Sequence, residues 1–216
     1  TPAPKHGNAL TSHPQVLGAV NRKAGPTDVM VNASGGLPGD LHKLWKTRDS
    51  KGYHMEYGYS CMGYEIAGGL GVKLAFPERR VIVLCGDGGY MRMNSEIATS
   101  VMMGAKLDIV VLDNRGFGCI NRLQQATGGR PFNNLLADAH HKREVDIDFA
   151  AHAASMGAFA EKVSGIAALE AALDRAKTSD RTHVIVIDTD PMITTKEGGA
   201  WWEVSVPEVS TRKEVE

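Results

Sequence analysis

Residues 81–118, VIVLCGDGGYMRMNSEIATSVMMGAKLDIVVLDNRGFG, decide the fold of this chain. Residues 81–85 and 107–112 are apolar, β-branched runs, which are typical of strands buried on both faces of a parallel sheet. Between them, apolar residues at helical spacing predict a helix over residues 90–103, which Gly104 ends. A right-handed crossover connection would then make the two strands neighbours in one sheet.

Polar residues follow each of these two strands. Asp87 comes soon after the first strand, and Asn114 follows the second strand, 27 residues further along the chain. Because the carboxyl ends of neighbouring parallel strands meet at one edge of the sheet, we expect both side chains at that edge, where open α/β sheets bind ligands. Their oxygens, together with the backbone carbonyl of Gly116, offer three ligands of the kind that Mg²⁺ prefers. The pattern therefore predicts a Mg²⁺ site.

Glycines near these residues predict that an anion binds beside the metal. A helix that begins near Gly88 would present free N–H groups to a phosphate, and glycine lets the backbone approach a ligand closely. A second turn, Ser34-Gly35, separates another predicted strand from a helix and would lie at the same edge. We therefore predict that six residues contact the phosphate groups of a ligand: Ser34, Gly35, Gly86, Gly88, Gly89 and Gly118.

Other interpretations fit part of this pattern. Gly86-Asp87-Gly88 also begins the G-x-G of a dinucleotide site, although Met91 stands at the sixth position, where glycine or alanine is needed. An ordinary βαβ unit with a polar strand end is a second alternative. The turn at Ser34 would equally serve as a flexible connection without a ligand.

The rest of the sequence alternates between strand and helix patterns. The further predicted strands are residues 28–32, 53–57, 158–163 and 183–188, and the further helices begin at Ser12 or lie near residues 41–45, 63–76, 147–156 and 166–177. This alternation predicts an α/β fold over residues 1–190, with a doubly wound, mostly parallel sheet of about six strands and helices on both faces. Residues 127–146 are polar and predict a long loop or lid rather than packed structure. Residues 191–216 are expected to form a C-terminal tail, whose Trp201 and Trp202 would dock on another domain or subunit.

Composition excludes several classes of function. The chain has 24 Lys and Arg against 25 Asp and Glu, a net charge of −1, and no basic block, so nucleic acid is not expected as a partner. No apolar run is long enough to span a membrane, so no membrane partner is expected either. Three widely spaced cysteines without a C-x-x-C motif favour a reducing, cytoplasmic location over a disulfide framework or a zinc site.

The G-D-G motif with its distant asparagine resembles the cofactor motif of thiamine diphosphate-dependent enzymes, and residues 12–190 resemble their C-terminal, diphosphate-binding domain. The family includes acetohydroxyacid synthases and benzoylformate decarboxylases. The resemblance implies two cofactors, thiamine diphosphate and Mg²⁺, with Asp87, Asn114 and the carbonyl of Gly116 on the metal. It also implies that Met62 supports the bent cofactor, and that the carbonyl of Ser60 faces its pyrimidine ring. Taken alone, Met62 is more typical of a core residue.

Several phrases resemble one branch of this family, whose enzymes cleave a carbon–carbon bond of a cyclic 1,2-dione with water during inositol catabolism. They are residues 56–71, 86–101, 115–124 and 198–210. The family takes its activating glutamate from a pyrimidine-binding domain, on the same or another chain, in homodimers or homotetramers. No catalytic residue is therefore predicted in this chain, which is expected to be a fragment or subunit and inactive alone.

The acidic residues of this chain are consequently given supporting functions. We interpret Glu56, Glu65 and Glu96 as surface groups or as groups that support the site. Some decarboxylases of the family carry a catalytic glutamate six positions after the metal-binding asparagine, where this chain has Ile120. Two alternatives remain: an enzyme that acts on a 2-keto acid, and a non-catalytic cofactor-binding domain.

Overall fold

The computed structural model describes residues 10–126, 128–143 and 145–195, and this part of the chain contains one six-stranded sheet. All neighbouring strands are parallel, in the order β2-β1-β3-β4-β6-β5. The strands are Val29–Asn32 (β1), Tyr53–Met55 (β2), Val81–Gly86 (β3), Asp108–Asp113 (β4), Phe159–Val163 (β5) and His183–Asp188 (β6). The predicted α/β fold with a parallel sheet of about six strands is confirmed.

Helices cover both faces of the sheet, as predicted. They are His13–Lys23 (α1), Leu37–Leu44 (α2), Tyr64–Ala75 (α3), Asp87–Tyr90 (α4), Glu96–Met102 (α5), Gly118–Ala126 (α6), Phe149–Ser155 (α7) and Ile166–Thr178 (α8), with a 3-10 turn at Leu136–Asp138. Ile82 and Leu84 of β3 pack with residues of α1, α2 and α8. Val81 and Val83 face the opposite side and pack with residues of α3, α5 and α7. Within the described ranges, no helix is both long and apolar enough to cross a membrane.

The order of the strands places a crevice at one edge of the sheet. From β1 the chain proceeds outward to β2, whereas from β3 it proceeds to β4 in the opposite direction. Ligands of open α/β sheets bind where the direction reverses, outside the carboxyl ends of the strands. Here that point lies between β1 and β3, so the loops after β1, β3 and β4 meet there.

Sequence patterns misjudged the helical segment after β3. The single helix predicted over residues 90–103 is wrong, because α4 ends at Tyr90 and α5 begins only at Glu96. Between them, the side-chain amide of Asn94 donates a hydrogen bond of 3.2 Å to the carbonyl of Tyr90. Asparagine side chains compete in this way with the backbone bonds that continue a helix. The first helical residue is Asp87 itself, so the acidic side chain lies at a helix N-terminus, where negative charge is favoured.

Smaller differences concern the ends of elements. The second strand is shorter than predicted and ends at Met55, and α2 begins at Leu37, with a proline in its first turn. Helix α1 begins as predicted, because Ser12 and Gln15 form a capping box. Trp201 and Trp202 lie outside the described residues.

Candidate functional site

A cleft of about 390 Å³ opens at the carboxyl ends of β1, β3 and β4. The loop after each strand contributes to its lining, as the strand order requires. All eleven residues that the sequence predicted for a cofactor or metal site line this one cleft: Ser34, Gly35, Ser60, Met62, Gly86, Asp87, Gly88, Gly89, Asn114, Gly116 and Gly118. The two polar strand ends singled out from the sequence therefore lie together in the structure.

The predicted metal ligands present two buried oxygens that lack partners. Oδ2 of Asp87 accepts a hydrogen bond of 2.8 Å from the backbone N–H of Gly116. Oδ1 of Asp87 and Oδ1 of Asn114 are both buried, and neither has a hydrogen-bond partner among the described residues. Buried polar atoms normally have a partner. A hard cation with oxygen ligands would supply the missing partner to both atoms, so these residues fit a site for Mg²⁺.

The electrostatic surroundings of Asp87 make its charge costly without a cation. Burial raises the pKa of Asp87 to about 7, and the nearby charge of Asp113 adds to this, against the opposing effect of N–H groups from Gly116 and Asn114. Burial likewise raises the pKa of Asp113. A bound divalent cation would favour the ionised carboxylate, and its binding would therefore release a proton.

The loop after β4 holds Gly116 in a conformation that only glycine adopts readily. Its φ is 145°, and a Cβ atom there would collide with the backbone carbonyl of Asn134. Two backbone hydrogen bonds fix the neighbouring residues: Phe117 N–H donates to Asn134 at 2.7 Å, and Leu136 N–H donates to Arg115 at 2.9 Å. Residues 134–136 thus pack against the site loop, so the interpretation of residues 127–146 as an unpacked loop is wrong for this part.

Met62 lies beside the glycine turn rather than in the core. Its side chain is 39% exposed, so the alternative of a core residue is wrong. A Cβ atom on Gly88 would lie 3.0 Å from Cε of Met62 and 2.7 Å from the ring of Phe117. A larger residue at this position would have to displace one of these side chains, and Met62 and Phe117 form an apolar wall next to Gly88.

Buried Glu65 lines the cleft and joins two of its loops through hydrogen bonds. Its residue is 1% exposed, so its interpretation as a surface group is wrong, and it supports the site instead. Oε1 accepts hydrogen bonds from the backbone N–H and the hydroxyl of Ser34, at 3.3 and 3.1 Å. Oε2 accepts a hydrogen bond of 2.8 Å from the N–H of Gly63, which joins the loop before α3 to the same carboxylate.

Glu56 shapes the loop that carries Ser60. It accepts hydrogen bonds from the N–H groups of Tyr59 and Cys61, at 3.0 and 2.8 Å. Between these two bonds, Ser60 has a φ of 52°, a left-handed conformation that is uncommon for serine. Strained backbone of this kind clusters at ligand sites. Glu96, by contrast, begins α5 and does not line the cleft.

Sequence reasoning missed four polar residues near the cleft. His13 lines it directly, Asp40 is buried beside His13, and Thr194 and Thr195 donate hydrogen bonds to Asp40. Arg122 also donates to the carbonyl of Pro191 at 2.5 Å. Residues 191–195 therefore contact α2 and α6 of their own domain. No local pattern signals these contacts, because they join residues far apart in the chain.

A second cleft, of about 380 Å³, lies beside the first and shares Asp87, Gly88, Gly116 and Phe117 with it. Its lining is mostly apolar, with Arg92 and Arg115 as the basic residues. The two clefts thus meet at the predicted metal ligand, which leaves room for groups on either side of Asp87.

Comparisons with known proteins identify similar sequences and a similar fold. Residues 33–187 match the family described as thiamine pyrophosphate enzyme, C-terminal TPP binding domain. The 3D-(3,5/4)-trihydroxycyclohexane-1,2-dione hydrolase of Geobacillus thermodenitrificans (strain NG80-2) is 42% identical over 207 residues, which cover 93% of this chain and 32% of that protein. The enzyme of the same name from Bacillus thuringiensis (strain Al Hakam) is 40% identical over 216 residues, covering 97% of this chain and 33% of that protein. The chain therefore spans about a third of the length of these curated relatives.

A solved structure shares the fold. The thiamine diphosphate-dependent 4-hydroxybenzoylformate decarboxylase of Rhodococcus jostii RHA1 superposes with a TM-score of 0.72, over 88% of this chain and 36% of that chain. The two sequences are 20% identical in this comparison, so the similarity concerns the fold alone.

Proposed function

Because this chain belongs to the family of C-terminal thiamine pyrophosphate-binding domains of thiamine pyrophosphate enzymes, we propose that its cleft holds the diphosphate of thiamine diphosphate through a Mg²⁺ ion. Asp87, Asn114 and the carbonyl of Gly116 bind the metal in this proposal. The observation that carries it is the pair of buried, unpartnered Oδ1 atoms on Asp87 and Asn114. Three protein ligands leave places in an octahedral shell for phosphate oxygens and water, as Mg²⁺ commonly requires.

The remaining predicted residues line the path of the cofactor. The N-terminus of α4, at Gly88 and Gly89, and the turn at Ser34 and Gly35 present backbone N–H groups to the diphosphate. Gly118 keeps the loop after β4 close to the same groups. Met62 supports the bent cofactor, and the carbonyl of Ser60 faces its pyrimidine ring. When bound, thiamine diphosphate would supply a nucleophilic carbanion and a thiazolium ring that serves as the electron sink, while the protein positions and polarises the cofactor.

We further propose that this chain is the cofactor-binding part of an enzyme that hydrolyses a carbon–carbon bond of trihydroxycyclohexane-1,2-dione to 5-deoxyglucuronate, in the cytoplasm. Identities of 40–42% to dione hydrolases over nearly the whole chain support this substrate. A pyrimidine-binding domain, on the same or another chain of a homodimer or homotetramer, would supply the activating glutamate. This chain then contributes binding and orientation but no catalytic acid or base.

An enzyme acting on a 2-keto acid is the second candidate, and one observation bears on it. Some decarboxylases of the family carry a catalytic glutamate six positions after the metal-binding asparagine. Here that position is Ile120, which lines the cleft and is 52% exposed. An apolar side chain cannot transfer a proton, so the decarboxylase alternative lacks an acid at this point of the cleft. A non-catalytic cofactor-binding domain remains the alternative of a different class.

Calorimetry on the full chain tests the metal site. Asp87→Ala should abolish Mg²⁺-dependent binding of thiamine diphosphate, because it removes the one carboxylate of the proposed ligand set. Asp180→Ala is the matched control, since Asp180 is exposed and lies outside both clefts. It should bind as the unchanged chain does. Equal Mg²⁺-dependent affinity in the Asp87 variant and the control would refute the site assignment.

A further inference from the structure

His13 is a buried polar residue in the cleft for which no function has been assigned. It is the first residue of α1 and is 4% exposed. It lines the same cleft as Ser34, Gly35 and Gly36. Neither ring nitrogen has a hydrogen-bond partner within the described ranges. Leaving a buried imidazole unpaired is costly, so we expect its partner to be a group outside the described residues.

Asp40 of α2 determines which ring nitrogen is available. Oδ1 of Asp40 accepts hydrogen bonds from the hydroxyls of Thr194 and Thr195, at 2.6 and 2.8 Å, and from the N–H of Thr195 at 3.2 Å. Oδ2 lies 3.6 Å from Nδ1 of His13. Burial alone would raise the pKa of Asp40, but the contacts with His13, Thr194 and Thr195 outweigh it and lower the pKa to about 2. The carboxylate is thus ionised, and it faces Nδ1 of His13.

This arrangement leaves Nε2 of His13 for a ligand. An imidazole whose Nδ1–H faces a carboxylate is fixed in orientation, and protonation makes Nε2 a charged donor. The neighbouring N-terminus of α2 also favours an anion. Its N-cap, Gly36, lines the cleft, and no side chain caps this eight-residue helix. Uncapped N–H groups and the helix dipole attract negative charge to the same place.

We propose that His13, oriented by Asp40, donates a hydrogen bond from Nε2 to a phosphate oxygen of thiamine diphosphate and so forms a second anchor for the cofactor. The inference rests on the proposed function, because it concerns the same cleft. The metal ligands hold the diphosphate from the loops after β3 and β4. His13 holds it from the N-terminus of α1, next to the N-terminus of α2. His13 thus lies between the Asp40 carboxylate and the phosphate, whose charge strengthens the hydrogen bond.

Binding measurements with two probes test this anchor. The full chain, with Mg²⁺ present, is titrated with thiamine diphosphate and with inorganic pyrophosphate in a calorimeter. His13→Phe keeps the ring volume and removes the donor, so affinity for both probes should fall about 10- to 100-fold, as expected for a charge-assisted hydrogen bond. His13→Gln retains a neutral donor and should lose less. His141→Phe changes an exposed histidine outside both clefts and should bind normally.

An NMR measurement on the unchanged chain distinguishes direct contact between His13 and the ligand from a loss of folding in the variants. With ¹⁵N-labelled histidine in the unchanged chain, the Nε2 resonance of His13 should move when Mg²⁺ and pyrophosphate are added, whatever the fate of the variants. Binding by His13→Phe within twofold of the unchanged chain, or an Nε2 resonance that stays in place at saturation, overturns the proposal. If Asp87→Ala loses binding while His13→Phe does not, only the His13 anchor fails. If the unchanged chain binds neither probe, the proposed function fails and the anchor with it.

Discussion

The two carboxylate oxygens of Asp87 differ in their surroundings. One oxygen stabilises the loop after β4, and the other is available to a metal ion. Oδ2 accepts the N–H of Gly116 and so joins the end of β3 to the loop after β4. Oδ1 has no hydrogen-bond partner in the described part of the chain, and the same is true of Oδ1 of Asn114. The cleft therefore holds two buried oxygens, on Asp87 and Asn114, that lack partners among the described residues, and a bound cation would offset the cost of burying them.

The raised pKa of Asp87 predicts how stability depends on pH. Its pKa of about 7 in the folded, metal-free chain exceeds the value of about 4 for an unfolded aspartic acid. The folded chain therefore holds this proton more tightly, and the free energy of unfolding should fall as pH rises from about 4 to about 7. Saturating Mg²⁺ should remove most of this fall, because the cation takes the place of the proton.

Urea unfolding across this pH range, with and without Mg²⁺, measures the effect. Asp87→Asn is the isosteric comparison, because an amide does not titrate and its pH slope should be shallower. Each unit of pKa difference corresponds to roughly 1.4 kcal/mol, so the two slopes should separate clearly. Identical pH slopes in the unchanged chain and in Asp87→Asn would contradict the electrostatic account of the site.

At the scale of elements, the strands were easier to predict than the helices between them. Largely apolar runs predicted β3 and β4 to within a residue, because strands buried on both faces are rich in apolar side chains. At the break between α4 and α5, the side chain of Asn94 instead donates a hydrogen bond to the carbonyl of Tyr90. Helical periodicity continues through the break, so periodicity alone could not have revealed it.

Two glycines of α3 allow a prediction about stability in which the same substitution has opposite effects. A Cβ atom on Gly69 would lie 2.5 Å from Cγ2 of Val83, whereas one on Gly71 would meet nothing within 4 Å. Gly69→Ala should destabilise the chain by about 1–3 kcal/mol through overpacking. Gly71→Ala should stabilise it by about 0.5–1 kcal/mol, because alanine is the better helix former.

Thermal and urea unfolding of both variants check this prediction. The sign of each change is the test, since the two substitutions are chemically identical and two positions apart in one helix. Destabilisation by Gly71→Ala comparable to that by Gly69→Ala would show that the packing of α3 against β3 has been misjudged.

The whole molecule shows why part of the site was predictable and part was not. Asp87 and Asn114 follow neighbouring strands of one crossover, so topology alone brought them together. His13 and Asp40 meet through the packing of α1 against α2, and the threonines that hold Asp40 come from beyond β6. For Glu65 the sequence left open a surface position or a supporting one, since a charged residue on a helix gives no sign that Ser34 and Gly63 will surround it. Contacts between distant segments leave no periodic signature in a sequence.

The chain alone should bind its cofactor without completing the reaction. It spans about a third of the length of its dione hydrolase relatives, and we assign the activating glutamate to a pyrimidine-binding domain. The 216-residue chain should therefore bind thiamine diphosphate weakly and leave trihydroxycyclohexane-1,2-dione intact, as followed by mass spectrometry. Addition of a pyrimidine-binding domain should start ring cleavage. Turnover by the chain alone, at a rate comparable to that with the added domain, would mean that a catalytic group here has been overlooked.

The most direct measurement of the central claim is a crystal structure of the chain with thiamine diphosphate and Mn²⁺, which takes oxygen ligands as Mg²⁺ does and gives an anomalous signal. The account predicts one anomalous peak in contact with Oδ1 of Asp87, Oδ1 of Asn114 and the carbonyl of Gly116, at about 2.1–2.3 Å from each. The diphosphate should lie next to this peak. A metal ion and diphosphate bound elsewhere, with both Oδ1 atoms still unpartnered, would contradict the account.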